Sequence, residues 1–394
     1  MLEVLKELPS DSVLGLIKLF AADQNPQKID LGVGVYKDDH GKTPVMAAVK
    51  MAEARILETE SSKTYYGSDG NSAFLDAVAP LVFGDSSSLS DRIVGCQTVG
   101  GTGALQLAAK LAVTCNDKAA IWVGTPTWPN HLPLFSAAGL EIKTYEYYNT
   151  ESQKINFEGM IQALQAGRPG DVVLLHACCH NPTGADLSLD QWAEVADLIA
   201  AKGMLPLIDS AYLGLGHSLE QDVKALQLVL YRVPETMIAF SCSKNFGLYR
   251  ERIGALFVVG KDGRSSSAIK SHVQYLARTV YSAPPNHGAA IVTTILTDPA
   301  FKKLWVSELV ESTQRINDMR QQLAQHGTVG KIDLVALGNQ RGMFALLPLS
   351  VAQVNVLKDE FSIYMAPSGR INLAGLNKDN IPHFASALAK VLAY

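Results

Sequence analysis

Between residues 93 and 259 the chain alternates short β-branched, apolar runs with stretches whose apolar residues recur at helical spacing. The runs at 93–99, 121–123, 142–145, 172–176, 204–209, 237–241 and 255–259 are strand-sized, and helical segments open at Gly103 and Leu189 between them. A strand followed by a helix and another strand brings the chain back in the same direction. The pattern therefore predicts an α/β fold whose central sheet is mostly parallel and covered on both faces. Near Asp298 the strand signals give way to a long amphipathic segment carrying Leu304, Leu309, Ile316, Met319 and Leu323. Mixed elements follow to Tyr394, as expected of a second, smaller domain that begins near residue 310 without a Gly/Ser linker. At the other end Val13, Leu14, Ile17 and Phe20 predict a first helix, with Ser10 or Asp11 as its cap.

Composition excludes several classes. The 394 residues are long enough for a sizeable core, and 47% hydrophobic content with 31 glycines and 17 prolines excludes a disordered, collagen-like or low-complexity chain. A formal charge of −4 without any Lys/Arg block leaves nothing to grip nucleic acid or an anionic membrane. Charged residues make up 18%, against roughly 25% in an average soluble chain, which points to surface buried in an oligomer. Apolar runs such as 172–175 and 205–208 fall far short of the roughly 18 residues of a membrane span. The first residues carry Glu3 and Glu7, and Lys18 interrupts the apolar stretch, unlike a signal peptide, so a cytoplasmic protein is expected. Cys96, Cys115, Cys178, Cys179 and Cys242 lack CxxC spacing and are expected to be reduced thiols.

Three segments set polar chemistry at the ends of strands. Val99-Gly100-Gly101-Thr102-Gly103 follows a strand and opens a helix, where bare backbone and free N–H groups can receive an anion. It is no dinucleotide fingerprint, because from Gly101 the last G-x-G-x-x-G position is Gln106, and from Gly32 it is Lys37. No G-x-x-x-x-G-K-[ST] occurs either, and taken alone the segment is as readily a tight turn without a ligand. Asp209 and Tyr212 follow an apolar run and should fall on the carboxyl edge of the sheet, where open α/β sheets bind ligands. A lone acid at a strand end is more often a turn residue. Lys244 follows another apolar run, at a core edge where an ammonium is costly unless its nitrogen has work there, and Arg252 comes shortly after it. Together these residues suit an anionic, carbonyl-bearing cofactor, with its phosphate against Arg252 and its aldehyde on Lys244.

That requirement is met with specific motifs. SKNFGLYRERIG (243–254), HNPTGADL (180–187), DSAYLGLG (209–216), PTWPNH (126–131) and SGRINLAG (368–375) resemble those of the aspartate and aromatic-amino-acid aminotransferases among the fold-type I pyridoxal-phosphate enzymes. The resemblance runs from LGVGVY (31–36) to Arg370, nearly the whole chain. It implies pyridoxal 5′-phosphate as cofactor, a large cofactor-binding domain at 44–310, and a smaller α+β domain drawn from both termini, at 1–43 with the N-terminal arm and at 311–394.

Residue by residue, the resemblance implies that Lys244 bonds the cofactor aldehyde and then moves a proton between the substrate Cα and the cofactor. Asp209 is implied to pair with the pyridine nitrogen, with His131 and His176 supporting it, and Tyr212 and Asn181 to hydrogen-bond the ring 3′-oxygen. Gly100, Gly101, Thr102, Ser241 and Arg252 are implied to clasp the phosphate, and Trp128 to stack on the ring. Tyr65 joins the catalytic set by reaching the phosphate from the other subunit of a homodimer. Arg370 is implied to hold the substrate α-carboxylate bidentately, which sets the Cα bond that breaks, with Gly34, Trp128 and Asn181 beside it. Outside SGRINLAG such an arginine would read as a surface salt-bridge residue. Arg278 is implied to cross the dimer interface to a substrate's second carboxylate. Cations such as Arg252 are expected to lower the pKa of Lys244.

The resulting reading is transamination of aromatic (phenylalanine, tyrosine, tryptophan) and dicarboxylic amino acids with 2-oxoglutarate, ping-pong through pyridoxamine phosphate. A dedicated aspartate aminotransferase is the alternative, and a lyase or decarboxylase a further rival. Ala283 and Thr64 stand where many aspartate enzymes have Asn, and residues 172–187 are similar to bacterial aromatic-type members, whereas Val35, Lys37 and Thr43 are aspartate-like. A regulator built on this module would need a DNA-binding domain, for which a pattern beginning at residue 31 leaves no room. Ser210, Leu213 and Leu215 depart from the family and are expected to loosen packing near the cofactor, while Pro126 and Pro182 fall where members carry cis peptides. His176-Ala177-Cys178-Cys179-His180 offers zinc-type ligands, but neighbours on an extended strand point to opposite faces, so no metal site is expected.

Overall fold

A computed structural model describes residues 1–7, 12–84 and 87–393, so the expected cap at Ser10 or Asp11 lies outside the described residues. A helix α1 (Ser12–Ala22), a short strand β1 (Ile29–Asp30) and a helix α2 (Ala47–Thr59) come first. They lead to β2 (Ile93–Val99), α3 (Gly100–Cys115), β3 (Ala120–Thr125), β4 (Glu141–Glu146), β5 (Val172–His176), α4 (Leu189–Lys202), β6 (Leu205–Ser210), β7 (Thr236–Ser241) and β8 (Ile253–Val259). Each of the expected apolar runs is a strand. They form one seven-stranded sheet in the order β2-β8-β7-β6-β5-β3-β4. β8 is antiparallel to both neighbours, and the other pairs are parallel.

Every residue of β7 and β8 is buried, which is why they read as continuous apolar runs instead of alternating ones. α4 carries its own punctuation: Ser188 and Gln191 form a reciprocal capping box, and Gly203 ends the helix in the left-handed conformation. α3 begins at Gly100, ahead of the expected Gly103, because the glycines that open it carry no apolar periodicity.

A helix α5 (Ser266–Tyr281) precedes α6 (Pro299–Ala324), whose N-terminus is capped by Asp298 and preset by Pro299. Trp305, Leu309, Ile316, Met319 and Leu323 of α6 are buried as its periodicity requires. The expected seam near residue 310 thus falls inside one uninterrupted helix. Beyond it, β9 (Phe344–Leu346) pairs antiparallel with β11 (Arg370–Asn372), and β10 (Ile363–Tyr364) pairs parallel with β1, so the chain's first segment shares a sheet with its last.

The departures beside Asp209 divide in their effect. Leu213 and Leu215 are packed into the core, whereas the Ser210 hydroxyl is buried without a partner among the described residues. Among the described residues no helix is long and apolar enough to cross a membrane.

Candidate active site

The carboxyl ends of the parallel strands meet along one edge of the sheet. The register sets His176, at the end of β5, opposite Asp209 of β6, and Asp209 opposite Ala239 of β7, two residues before Ser241. The loop after β3 turns through a cis Thr125–Pro126 bond and delivers Trp128, and α3 presents Gly101 and Thr102 from its N-terminus. With Gly34, Asn181, Tyr212, Lys244 and Arg252, the residues Gly101, Thr102, Trp128, Asp209 and Ser241 line a cavity of about 680 Å³, its mouth included, a size typical of small-molecule sites. Ten of the expected site residues are brought together here from segments far apart in the chain: Gly34, Gly101, Thr102, Trp128, Asn181, Asp209, Tyr212, Ser241, Lys244 and Arg252.

Gly100 stands just behind this wall at φ +66°, and a Cβ there would lie 2.5 Å from Arg252 Nη2. Only glycine lets the guanidinium approach the start of the helix. Arg252 Nη1 donates to the Tyr249 carbonyl at 2.9 Å and to Ser243 Oγ at 3.2 Å, and its carbonyl accepts the Gly100 N–H at 2.9 Å. The cation is thereby fixed beside the free N–H groups of α3.

Asp209 is held by a directed chain of hydrogen bonds. The backbone N–H of Asn181 donates to His176 Nδ1 at 3.3 Å, which leaves the proton of that ring on Nε2, facing Thr127 Oγ1 at 3.5 Å. The Thr127 hydroxyl can then donate to His131 Nδ1 at 2.8 Å, and His131 Nε2–H donates to Asp209 Oδ2 at 3.1 Å. His131 supports Asp209 directly; His176 acts through Thr127. Burial alone would raise the Asp209 carboxyl, but the His131 hydrogen bond and the Lys244 charge outweigh it and hold Asp209 below the usual carboxylate range. Burial presses the His176 imidazole down to about 3, so that ring remains a neutral donor.

Lys244 sits 4.9 Å above the Tyr212 ring. Loss of solvent lowers its ammonium to about 8, with Arg252 and Arg370 adding to the effect and Asp209 opposing it. The expected cation effect is present, and desolvation is the larger cause.

Arg370, 8% exposed, donates to the Gly32 carbonyl at 2.9 Å and to Asn181 Oδ1 at 3.4 Å, while its Nε has no partner among the described residues. Asn181 also reaches the Tyr212 hydroxyl, at 3.5 Å. None of Lys244, Arg252 and Arg370 forms an ion pair with a carboxylate among the described residues, where the one partner of Asp209 is His131. Lys244 and Arg252 line the cavity beside the carboxylate of Asp209, and Arg370 is bonded to the lining residue Asn181; three cations so placed without a carboxylate partner suit a ligand of several negative charges.

The family model for aminotransferase class I and II matches residues 26–388. The chain belongs to that family. It is 49% identical to a tyrosine aminotransferase of Rhizobium meliloti over 95% of this chain and 96% of that protein. It is 43% identical to the aspartate aminotransferase of Escherichia coli over the full length of both. Its fold superposes with a TM-score of 0.94 on the aromatic-amino-acid aminotransferase of Burkholderia pseudomallei covalently bound to pyridoxal phosphate, at 40% identity, covering 100% of this chain and 99% of that one.

Within this aminotransferase two expected residues stand apart from the cavity. Tyr65 is 95% exposed, and it lines a surface recess with Tyr66, Ser68, Arg278, Ser282 and Ala283. Four residues went unread in the sequence: Thr127, Ser243, Tyr249 and Phe344. The first three lie inside the quoted motifs, beside residues that were read; Phe344 lies in no motif, and nothing in its neighbourhood marks it.

The alternation of an extended strand does not govern the run from Ala177 to His180. β5 ends at His176, and residues 177–180 form a turn with Cys179 at φ +54°. His176, still on β5, meets His131 and Asp209, whereas the turn brings Cys178 and Cys179 to Asp222. Asp222 already accepts the N–H groups of Gly214, Gly216 and His217.

Two outcomes follow. In the cofactor-free aminotransferase, Lys244 labelled by reductive ¹³C-methylation should titrate near 8, and a midpoint near 10.5 would contradict its desolvation. The depressed His176 leaves the unfolded chain binding a proton that the folded one refuses between pH 6.5 and about 3, so stability falls with pH across that window. Denaturant melts at pH 7 and pH 5 should show His176→Gln losing about 2 kcal/mol less than the wild type over that interval.

Proposed function

We propose that this aminotransferase moves amino groups between aromatic or dicarboxylic amino acids and 2-oxoglutarate, with pyridoxal 5′-phosphate as its cofactor. The observation that carries the reading is a trio of cations without a carboxylate partner among the described residues: Lys244 and Arg252 line the cavity with the anion Asp209, and Arg370 hydrogen-bonds the lining residue Asn181. A phosphate fits the N-terminus of α3 and the Arg252 guanidinium, where Gly100 has no Cβ to obstruct it. A protonated ring nitrogen fits Asp209, which the His131 chain keeps anionic, and Tyr212 with Asn181 can bond a ring oxygen. When bound, the cofactor supplies an electron sink for the substrate Cα.

The chain's own residues do the rest. Arg370 takes the α-carboxylate, and Trp128 walls the ring side of the cavity. Its ammonium lowered to about 8 by burial, Lys244 can take a proton at Nζ from the substrate Cα and return it to the cofactor carbon that had carried the aldehyde. Tyr65 and Arg278 act in a partner's site, Tyr65 on the phosphate and Arg278 on a second carboxylate, which makes the working unit a homodimer. Residues 1–43 and 311–394 form its small domain, 44–310 its large one, and the protein works in the cytoplasm.

The reading is tested by mixing cofactor-loaded protein in single turnover with phenylalanine and, separately, with aspartate. Both should consume the cofactor absorbance band; reaction with aspartate alone would make this a dedicated aspartate aminotransferase, and a protein that never acquires the band would sink the reading. Shared sites have their own signature. Lys244→Ala should be inactive and Arg278→Ala should lose aspartate turnover far more than phenylalanine turnover. Mixing the two variants should restore aspartate turnover toward about a quarter of the wild-type level, because half of the random dimers carry one native site. No recovery, with subunit exchange verified by mass spectrometry, would show that Arg278 serves its own chain.

A further inference from the structure

We infer that Phe344 is a positioning residue for Arg370: its ring is the platform that holds the guanidinium in the plane in which it meets a carboxylate. The inference rests on the reading of Arg370 as carboxylate anchor and adds what fixes that anchor.

The sheet register creates the contact. Leu346 of β9 lies opposite Arg370 of β11, and Phe344 lies opposite Asn372. Residues two apart on a strand share a face, so Phe344 and Arg370 are diagonal neighbours on one face of the pair, within reach of an aromatic ring. The guanidinium carbon stands 4.5 Å from the ring centroid, the distance of a cation–π contact. Phe344 is 2% exposed, so this contact is desolvated, where such pairs are strongest. Hydrogen bonds to Gly32 and Asn181 hold two edges of the guanidinium, and neither covers its face.

The platform is itself clamped. Its edge meets the Tyr212 ring in a T-shaped contact at 5.8 Å, which links the anchor to a residue of the cofactor cavity. At its tip, Cζ would lie 3.0 Å from a Cβ on Gly34, so glycine leaves the ring its place beneath the loop. Behind it, the buried Arg320 of α6 donates from Nη2 to the carbonyls of Gly342 at 2.7 Å and Phe344 at 2.8 Å, and from Nη1 to that of Leu337 at 3.1 Å. A ring so fixed cannot follow the guanidinium; the guanidinium follows the ring.

The test uses the cofactor-loaded enzyme and two unreactive probes, 3-phenylpropanoate and its uncharged amide, with affinities measured by calorimetry. Phe344→Leu removes the aromatic face, and Phe344→Met supplies a longer, more adaptable side chain of similar volume should the first variant fold poorly. Either should weaken the carboxylate roughly 3- to 30-fold while leaving the amide within about twofold, the span expected of a lost cation–π contact. Equal losses for both probes would make Phe344 a mere wall of the cavity and overturn the inference. Unchanged affinity for both, in a variant with the wild-type cofactor spectrum, would overturn it as well. Arg370→Leu separates the two levels: if it fails to weaken the carboxylate, the anchor reading falls; if it weakens the carboxylate and the Phe344 variants do not, the inference alone falls.

Discussion

Everything at the sheet edge is arranged around charge that has no protein partner. Lys244 and Arg252 share a cavity wall with Asp209, Arg370 is joined to that wall through Asn181, and among the described residues no ion pair relieves the three cations. Desolvated cations repel one another and lose their hydration, so such an arrangement costs stability unless a ligand completes it. The lowered pKa of Lys244 is the visible trace of that tension. An anionic cofactor and a carboxylate substrate would relieve it in succession, which ties folding stability to occupancy.

The lone anion is kept in place by geometry drawn from four segments. The N–H of Asn181 sets the proton on His176, which leaves the Thr127 hydroxyl free to donate to His131, and His131 then donates to Asp209. Each ring must remain neutral for the chain to keep its direction, and burial sees to that for His176. Asn181 also meets Arg370 and the Tyr212 hydroxyl. One asparagine thus couples the support of Asp209 to Arg370, and a disturbance at either would be felt at both.

Much of this was legible before any coordinates. Most of the seven strands announced themselves because strands covered on both faces must be continuously apolar, and the helix opening at Leu189 stood out by its periodicity. Lys244 and Asp209 stood out because charged groups at the ends of apolar runs are hard to explain otherwise. The rest escaped for physical reasons. Thr127 matters because its hydroxyl joins the nearby His131 to His176, a ring remote in sequence, and Phe344 matters through a diagonal contact that exists only once β9 and β11 are paired. The turn at residues 177–180 read as strand because its backbone reversal rests on a left-handed cysteine, which no propensity announces.

The amino-acid sequence by itself determined the α/β layering, the family and the identity of the charged groups, since apolar periodicity and motif chemistry are written locally. Tertiary structure decided which of those groups meet. The register of β5, β6 and β7 sets His176, Asp209 and Ser241 on one edge, and the pairing of β9 with β11 lays Arg370 on Phe344. It also left Tyr65 and Arg278 outside the cavity of their own chain. Contacts between residues hundreds of positions apart depend on strand register and packing, and those are properties of the assembled fold that no local stretch of chain contains.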